Sequence, residues 1–235
     1  MNKLRFADRL PVELPQDPMP LADSWLREAT ANAGVRNPNA MTLSTAGPDG
    51  QPSARVVLCK LFVPDPGYVV FYTNYNSRKG VELAANPNVA ANFFWDSLGL
   101  QIRIEGPALH SPADESDDYF ATRDRGSQLG AWGSDQSREI ASRAALVEQI
   151  ARRAAQLGVP LDSHPGGQAQ GLDEAVPPIS RPPHWGGFRI WVSRIELWVE
   201  GKDRIHDRAV WRRDLVRADA HSFSVMPWKG TRLQP

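Results

Sequence analysis

A single cysteine in 235 residues, Cys59, excludes an intramolecular disulfide and any metal site built on several thiolates. Set in an apolar run with no base close in sequence, it reads as a buried, inert thiol. Net charge is missing too. The 27 Lys and Arg balance the 27 Asp and Glu, which leaves no global electrostatic case for nucleic acid or an anionic membrane. An anion site must therefore be assembled locally. Long apolar runs are lacking: the richest, "VVLCKLFV", is short and carries Lys60, so no membrane-spanning helix is expected. The opening "MNKLRFADRLPVELP" has no apolar segment of signal-peptide type, and a reducing cytoplasm is the expected address. There is no Gly-rich dinucleotide loop, P-loop, Gly-x-Ser-x-Gly or His-Glu-x-x-His, and the five histidines show no metal-ligand spacing.

What is present is an ordinary globular balance of 41% apolar and 23% charged residues. Residues 1–20 are Pro-rich and read as an extended arm, and 21–235 as one domain. "PLADSWLREATANAG" predicts a helix with Leu21, Trp25, Ala29 and Ala33 on one stripe, stopped at Gly34. From 39 to 110 the pattern turns to short β-type runs, "AMTLSTA", "SARVVLCKLFV", "YVVFYTN", "VAANFFW" and "LQIRIEGPAL", separated by turns such as Gly47–Gly50 and Pro64–Gly67. Two further helices are expected. Ser111-Pro112-Ala113-Asp114 opens one that runs to about Arg123, with Ser111 as its N-cap. "SRAALVEQIARRAAQLG" forms the other, with Leu146, Ile150, Ala154 and Leu157 on a stripe that ends at Gly158. Residues 159–187, rich in Pro and Gly, read as a long loop. Strands resume at "GFRIWVSRIELWVEG", where the apolar phase slips near Ser193 and predicts a bulge or break. Short strands in hairpin order favour a mainly β fold with flanking helices, an antiparallel barrel.

Several polar clusters stand out. In "NYNSRKGVELAANP", Asn76 or Ser77 can cap a helix whose first turn carries Arg78 and Lys79, against the helix dipole. Either an external anion is bound there or the turn is a solvated basic patch. Tyr119 and Arg123 fall at i and i+4, with Ser127 just beyond. They form a phosphate cradle, at what would be the unfavourable end of the helix, or surface decoration. Arg55 and Lys60 in "ARVVLCK" point to opposite strand faces by simple alternation, as ligands or as edge-strand charge. In "GKDRIHDRAVWRR", a strand would put Arg204, His206 and Arg208 on one face. A three-residue loop at 201–203 would set Trp198 opposite His206, and Glu196 opposite Arg208. An indole beside cations suits a flat, charged ligand, although simple pairing of the arginines with Glu196 and solvent stays open. Phosphate-suited clusters without a nucleophile or an acid–base pair suit an enzyme whose reactive centre is a bound cofactor.

The ordered set "RVVLCK", "YTNYNSRKG", "Q-x-R-x-EG", "YFATRDRGSQLGAWGSDQS", "RPPHWGGFRI", "IELWVEGKDRIHDR" and a terminal "RLQP" resembles the pyridoxine/pyridoxamine 5′-phosphate oxidases, from about Pro38 to Pro235. The resemblance implies a Greek-key split β-barrel working as a homodimer with FMN at the subunit interface. It assigns FMN contacts to Arg55, Val56, Val57, Leu58, Tyr72, Thr73, Arg78, Lys79, Gln101, Gln136, Ser137, Trp198 and Arg208. The substrate phosphate falls to Lys60, Tyr119, Arg123 and Ser127, and the pyridine ring to Arg204 and His206, the two residues nearest the chemistry. The implied reaction is hydride transfer from C4′ of pyridoxine or pyridoxamine 5′-phosphate to the flavin, with O2 as final acceptor. Its products are pyridoxal 5′-phosphate and H2O2, with ammonia from the amine. No metal, nucleic acid or membrane partner is implied. The chain departs from the family in its arm, which has no alignable Arg and Tyr pair, in a longer 159–180 segment, and in "WVEG" where Trp-Gln-Gly is usual. Two alternatives are a phenazine-pathway flavin oxidase of the same fold and a non-catalytic flavin or pyridoxal-phosphate binding protein.

Overall fold

The computed structural model describes residues 9–32, 34–159 and 178–235. The chain divides into two compact units. One comprises Met1–Phe71, Glu82–His110 and Phe188–Pro235, the other Tyr72–Val81 and Ser111–Gly187.

The first unit is an antiparallel sheet. Its strands are β1 (Ala40–Ala46), β2 (Pro52–Leu58), β3 (Leu61–Val63), β5 (Asn88–Trp95), β6 (Leu100–His110), β8 (Arg194–Val199), β9 (Asp207–Arg212) and β12 (Lys229–Leu233), with the start of β4 (Tyr68–Asn74) and the end of β7 (Trp185–Trp191). The hydrogen-bonded order β12-β9-β8-β6-β5-β1-β2 leaves β2 at an edge. Period-2 alternation fixes which residues enter the core. Leu100, Ile102 and Ile104 are buried, while Gln101, Arg103 and Glu105 take the other face, as expected from "LQIRIEG". Leu43, Phe93, Ile195, Leu197 and Trp211 complete that core. A short hairpin, β10 (Leu215–Arg217) with β11 (Phe223–Val225), projects from the β9–β12 connection. Helix α1 (Met19–Ala31) buries Met19, Ala22, Trp25 and Ala29, so its stripe is centred on Trp25 rather than on Leu21. Ala33 lies outside the described residues.

Three expectations need correction. "SARVVLCKLFV" is not one strand: it breaks at Cys59-Lys60, where the Cys59 and Lys60 N–H groups donate to Asn39 and Val70 carbonyls. Burial pushes the Cys59 thiol up to about 12, consistent with an inert side chain. The 201–203 hairpin is longer than expected. β8 ends at Val199, which pairs with Asp207, so residues 200–206 form the connection and Trp198 faces Arg208, not His206. Glu196 faces Val210. Arg204 and His206 therefore share no strand face with Arg208. Ser111 does not cap α3 (Ala113–Ala121): Pro112 occupies the N-cap without a side-chain bond, and the helix ends at Ala121, two residues short of Arg123. The break near Ser193 is present between β7 and β8.

The second unit is helical, with α3, α4 (Arg125–Gly133) and α5 (Arg143–Gln156), the latter capped by Ser142 and followed by Gly158 at φ +69°. Phe120, Leu129, Ala154, Val159, Ile179 and Trp185 form its core. Helix α2 (Arg78–Ala85) begins here and continues into the first unit. Most of the 159–187 loop falls outside the described residues. Among the described residues no helix is long and apolar enough to cross a membrane.

Candidate functional site

In the helical unit, the strand-to-helix turn 74–77 is built by side-chain mimicry of backbone. Asn74 Oδ1 accepts from the Asn76 N–H (2.8 Å), and Ser77 Oγ donates to the Asn74 carbonyl (2.6 Å). Gly80 follows because nothing larger fits: a Cβ there would lie 2.1 Å from the Tyr75 carbonyl oxygen. The turn delivers Lys79 inward. Its Nζ, on a residue only 9% exposed, donates to Gln136 Oε1 (2.8 Å), Thr73 Oγ1 (3.1 Å) and Ser77 Oγ (3.4 Å). Thr73 Oγ1 in turn donates to Gln136 Oε1 (3.1 Å). Three residues assigned to FMN by resemblance, up to 63 positions apart, thus meet at one helix start. Gln136 and Ser137 are presented by α5: Arg153 forms a two-pronged pair with Asp135 (3.0 and 2.9 Å), and Gln149 Nε2 donates to the Gly133 carbonyl (2.8 Å). Ser137 holds φ +71°, a conformation uncommon outside glycine. A cavity of about 240 Å³ opens beside this cluster, lined by Asn74, Asn76, Asp135, Gln136, Arg138 and His184 among others. Arg78 is exposed at the first position of α2.

The Tyr119, Arg123, Ser127 triplet is placed differently from its expectation. Arg123 lies in the turn between α3 and α4, and Ser127 sits in the first turn of α4, whose N-cap is Asp124. The cradle therefore opens on a helix N-terminus, the end that favours an anion. Asp124 already uses part of it, accepting from the Ser127 N–H (2.8 Å) and hydroxyl (2.6 Å). Those bonds hold the Asp124 carboxyl below its usual range. As a phosphate donor the Ser127 hydroxyl must rotate away from Asp124. Tyr119 stacks on Tyr72, their ring centroids 3.9 Å apart, which joins a residue assigned to substrate with one assigned to FMN. Arg123 Nη1 is buried without a hydrogen-bond partner, and burial lowers the guanidinium's pKa. Arg125, at the start of α4, has a buried Nη2 in the same condition. Sequence reading passed over Arg125 and Trp185; "RGSQ" and "HWGG" carry no spacing that marks either.

In the sheet unit, Gln101, Trp198 and Arg208 face one another directly across β6, β8 and β9. His206 reaches Trp198 from the connection, ring centroids 4.6 Å apart. The Gly201 N–H donates to His206 Nδ1 (3.2 Å), so in the neutral imidazole the proton sits on Nε2. Gly201 is required there, because a Cβ would fall 1.6 Å from the Ile205 carbonyl oxygen. Arg204 is exposed at φ +64°, directly after Asp203 at +57°, two consecutive left-handed residues in one short turn. Arg208 Nε and Nη2 both donate to Glu196 Oε1 (2.9 and 2.7 Å), the pairing that sequence reading left open. Glu196 is 2% exposed, with Arg103 (3.4 Å) and Arg194 (3.8 Å) near its other oxygen.

Arg55, Val56, Val57 and Leu58 occupy edge strand β2. Val56 (66% exposed) and Leu58 (39%) turn outward, and among the described residues the outer edge of the strand pairs with no other strand. Arg55 is engaged with the Leu43 carbonyl (3.2 Å), Thr45 Oγ1 (2.6 Å), Ser53 Oγ and Glu82 (3.2 Å). Lys60 is exposed in the β2–β3 break. Among the described residues no cluster of His, Cys, Asp and Glu could hold a metal ion.

Residues 28–156 match the family profile described as pyridoxamine 5′-phosphate oxidase, and 185–235 match that of the pyridoxine 5′-phosphate oxidase C-terminal dimerisation region. A pyridoxine/pyridoxamine 5′-phosphate oxidase of Rubrobacter xylanophilus is 44% identical, covering 93% of this chain and 87% of that protein. One of the same name from Burkholderia lata 383 is 43% identical over 90% of this chain and 89% of its own length. The solved PhzG of Burkholderia lata 383, in complex with tetrahydrophenazine-1-carboxylic acid, is similar at 31% identity with a TM-score of 0.75, covering 100% of this chain and 98% of that one. The mainly β fold with flanking helices expected from sequence is thereby borne out.

Proposed function

The chain belongs to the pyridoxamine 5′-phosphate oxidase family, and on that premise we propose that it oxidises pyridoxine and pyridoxamine 5′-phosphates to pyridoxal 5′-phosphate, with FMN as cofactor and O2 as acceptor. The observation that carries the substrate assignment is Arg123, whose buried Nη1 has no hydrogen-bond partner, beside Tyr119 and ahead of Ser127 at a helix N-terminus. An unpaired buried donor is costly. A phosphate oxygen relieves that cost.

The donor chemistry of the Lys79–Thr73–Gln136 cluster fits the FMN phosphate, with Arg78 at its exposed rim. The open β2 edge at Val56–Leu58 and the flat Trp198 face beside Gln101 and Arg208 fit its ring system. FMN, when bound, supplies acceptance of a hydride from the substrate carbon and delivery of the two electrons to O2 as H2O2. The chain's own residues orient and neutralise. Arg204 and His206 hold the pyridine ring, and Lys60, Tyr119, Arg123 and Ser127 hold the phosphate. The alcohol substrate gives the aldehyde directly, whereas the amine takes up water and releases ammonia. A homodimer with FMN at the interface goes with this reading, supported by the dimerisation-region match and by the exposed Val56 and Leu58. A cytoplasmic setting goes with the single cysteine.

The likeness to PhzG favours a second reading, a phenazine-type substrate without a phosphate. From the same species, however, the oxidase is 43% identical and PhzG 31%. The test is incubation of the purified FMN-loaded protein with pyridoxine 5′-phosphate in air. Pyridoxal 5′-phosphate and peroxide appear in equal amounts under the main reading. Neither appears if the protein only stores cofactor.

Arg204→Ala is expected to cut turnover about 10- to 100-fold, the loss of one charge-assisted contact to substrate, with FMN affinity within about 3-fold of wild type. Steady-state kinetics and flavin titration separate the two. An equal loss in both would remove Arg204 from the substrate side.

A further inference from the structure

We propose that Trp185 is a positioning residue for the substrate phosphate: its indole face holds the Arg123 guanidinium flat, leaving the in-plane donors for the ligand. The inference rests on the reading of Arg123 as a phosphate ligand and extends it to the residue against which Arg123 lies.

Arg123 Cζ lies 4.6 Å from the Trp185 ring centroid and 5.6 Å from that of Phe120. A guanidinium stacked on a π-face is attracted to it without spending an N–H, so its fork remains free for a planar anion. A carboxylate partner would orient it as well but would occupy the fork. The unbonded, buried Nη1 is consistent with the first arrangement.

Trp185 is itself buried and held by ring and backbone contacts. Tyr72 and Tyr119 lie nearly parallel to it, at centroid distances of 5.4 and 6.2 Å and interplanar angles of 12° and 6°. Phe120 meets it edge-on at 5.2 Å. Its backbone N–H donates to the Pro182 carbonyl (3.1 Å), and its backbone carbonyl accepts from Arg181 Nη1 (2.6 Å), whose Nε donates to Asp117 (2.7 Å). Gly186 closes the arrangement, since a Cβ there would lie 2.0 Å from Tyr75 Oη. An indole fixed this way gives Arg123 a rigid platform before any ligand arrives, which lowers the ordering cost of binding.

Because Trp185 also belongs to the core of the helical unit, two replacements are needed. Trp185→Leu keeps apolar bulk and removes the π-face, while Trp185→Phe keeps a weaker one. In the FMN-loaded enzyme, Trp185→Leu is expected to raise KM for pyridoxine 5′-phosphate about tenfold with kcat within about 3-fold, and Trp185→Phe about 2- to 4-fold. Inorganic phosphate, titrated by calorimetry into the same FMN-loaded protein, should weaken by the same factors. A purely structural role would reduce FMN content and melting temperature without that graded phosphate effect. Arg123→Ala is the reference. If it abolishes phosphate binding and Trp185→Leu does not alter it, the inference fails and the reading of Arg123 stands. Should Arg123→Ala leave phosphate binding unchanged, that reading fails itself. If Trp185→Leu does not fold, Trp185→Phe combined with Arg123→Lys decides. Effects that multiply independently overturn the proposal, and a combined loss smaller than the product supports it.

Discussion

Lys79→Ala is expected to raise the dissociation constant for FMN about 30- to 100-fold, the largest single loss of cofactor affinity among the helix-start residues. A hydrogen bond to a charged group contributes about 1.5–3 kcal/mol, and each 1.4 kcal/mol is tenfold. Lys79 is 9% exposed and its ammonium is prearranged by Gln136, Thr73 and Ser77, so little ordering cost is left to offset that gain. The variant should fold, because deletion of a buried cation leaves neutral oxygens that can still bond one another, as Thr73 and Gln136 already do. Fluorescence titration of flavin-free protein with FMN gives the constant. An unchanged value would assign the cluster to local structure alone, as a solvated basic turn would have been.

Glu196→Ala is expected to lower stability by about 3–5 kcal/mol, or roughly 10 °C in melting temperature for a chain of this size. The carboxylate is 2% exposed and serves Arg208 at 2.7 Å, with Arg103 and Arg194 at 3.4 and 3.8 Å. Its removal takes the shared carboxylate from Arg103 on β6, Arg194 on β8 and Arg208 on β9, and leaves the more exposed Glu105 beside Arg103 and Arg194. Glu196 Oε2 makes no hydrogen bond, so the main contribution comes through Oε1 and Arg208. Glu196→Gln, which keeps an oxygen for Arg208, should lose less than half as much in thermal melts. Equal losses for both variants would mean that shape, not charge, matters at this position. A flavin titration on Glu196→Gln also reports on Arg208, whose orientation depends on this acid.

Period-2 patterns that meet a one-sided core were legible. "LQIRIEG" could place Leu100, Ile102 and Ile104 inside in only one register, and the phase slip at Ser193 was visible because a break interrupts that alternation. The helix that starts after Asn76-Ser77 was legible for the same kind of reason, a local one: short polar side chains satisfy the backbone a few residues away, although the part of Asn74 in that turn came only from the structure. The Arg204-His206-Arg208 row was misread because alternation was continued through a connection. Loop length follows from where β8 and β9 pair, and the pairing of Val199 with Asp207 is set by the sheet register and not by alternation along the strand. Likewise Arg123 and Ser127 looked like the end of one helix, although Asp124 starts another. That cap changes the electrostatic sign of the cradle.

By itself the sequence determined the strand-rich class, the inward faces, the motif residues and the absence of a multi-cysteine metal site, because each depends on composition or on neighbours within a few positions. Only the tertiary structure decided that Lys79 meets Gln136, that Trp198 faces Arg208, that Glu196 is buried among arginines, and that Arg123 lies on Trp185. Those contacts join residues 10 to 62 positions apart. They follow from which segments share a sheet or a helical core, a choice set by burial of the whole chain and not by any one stretch of it.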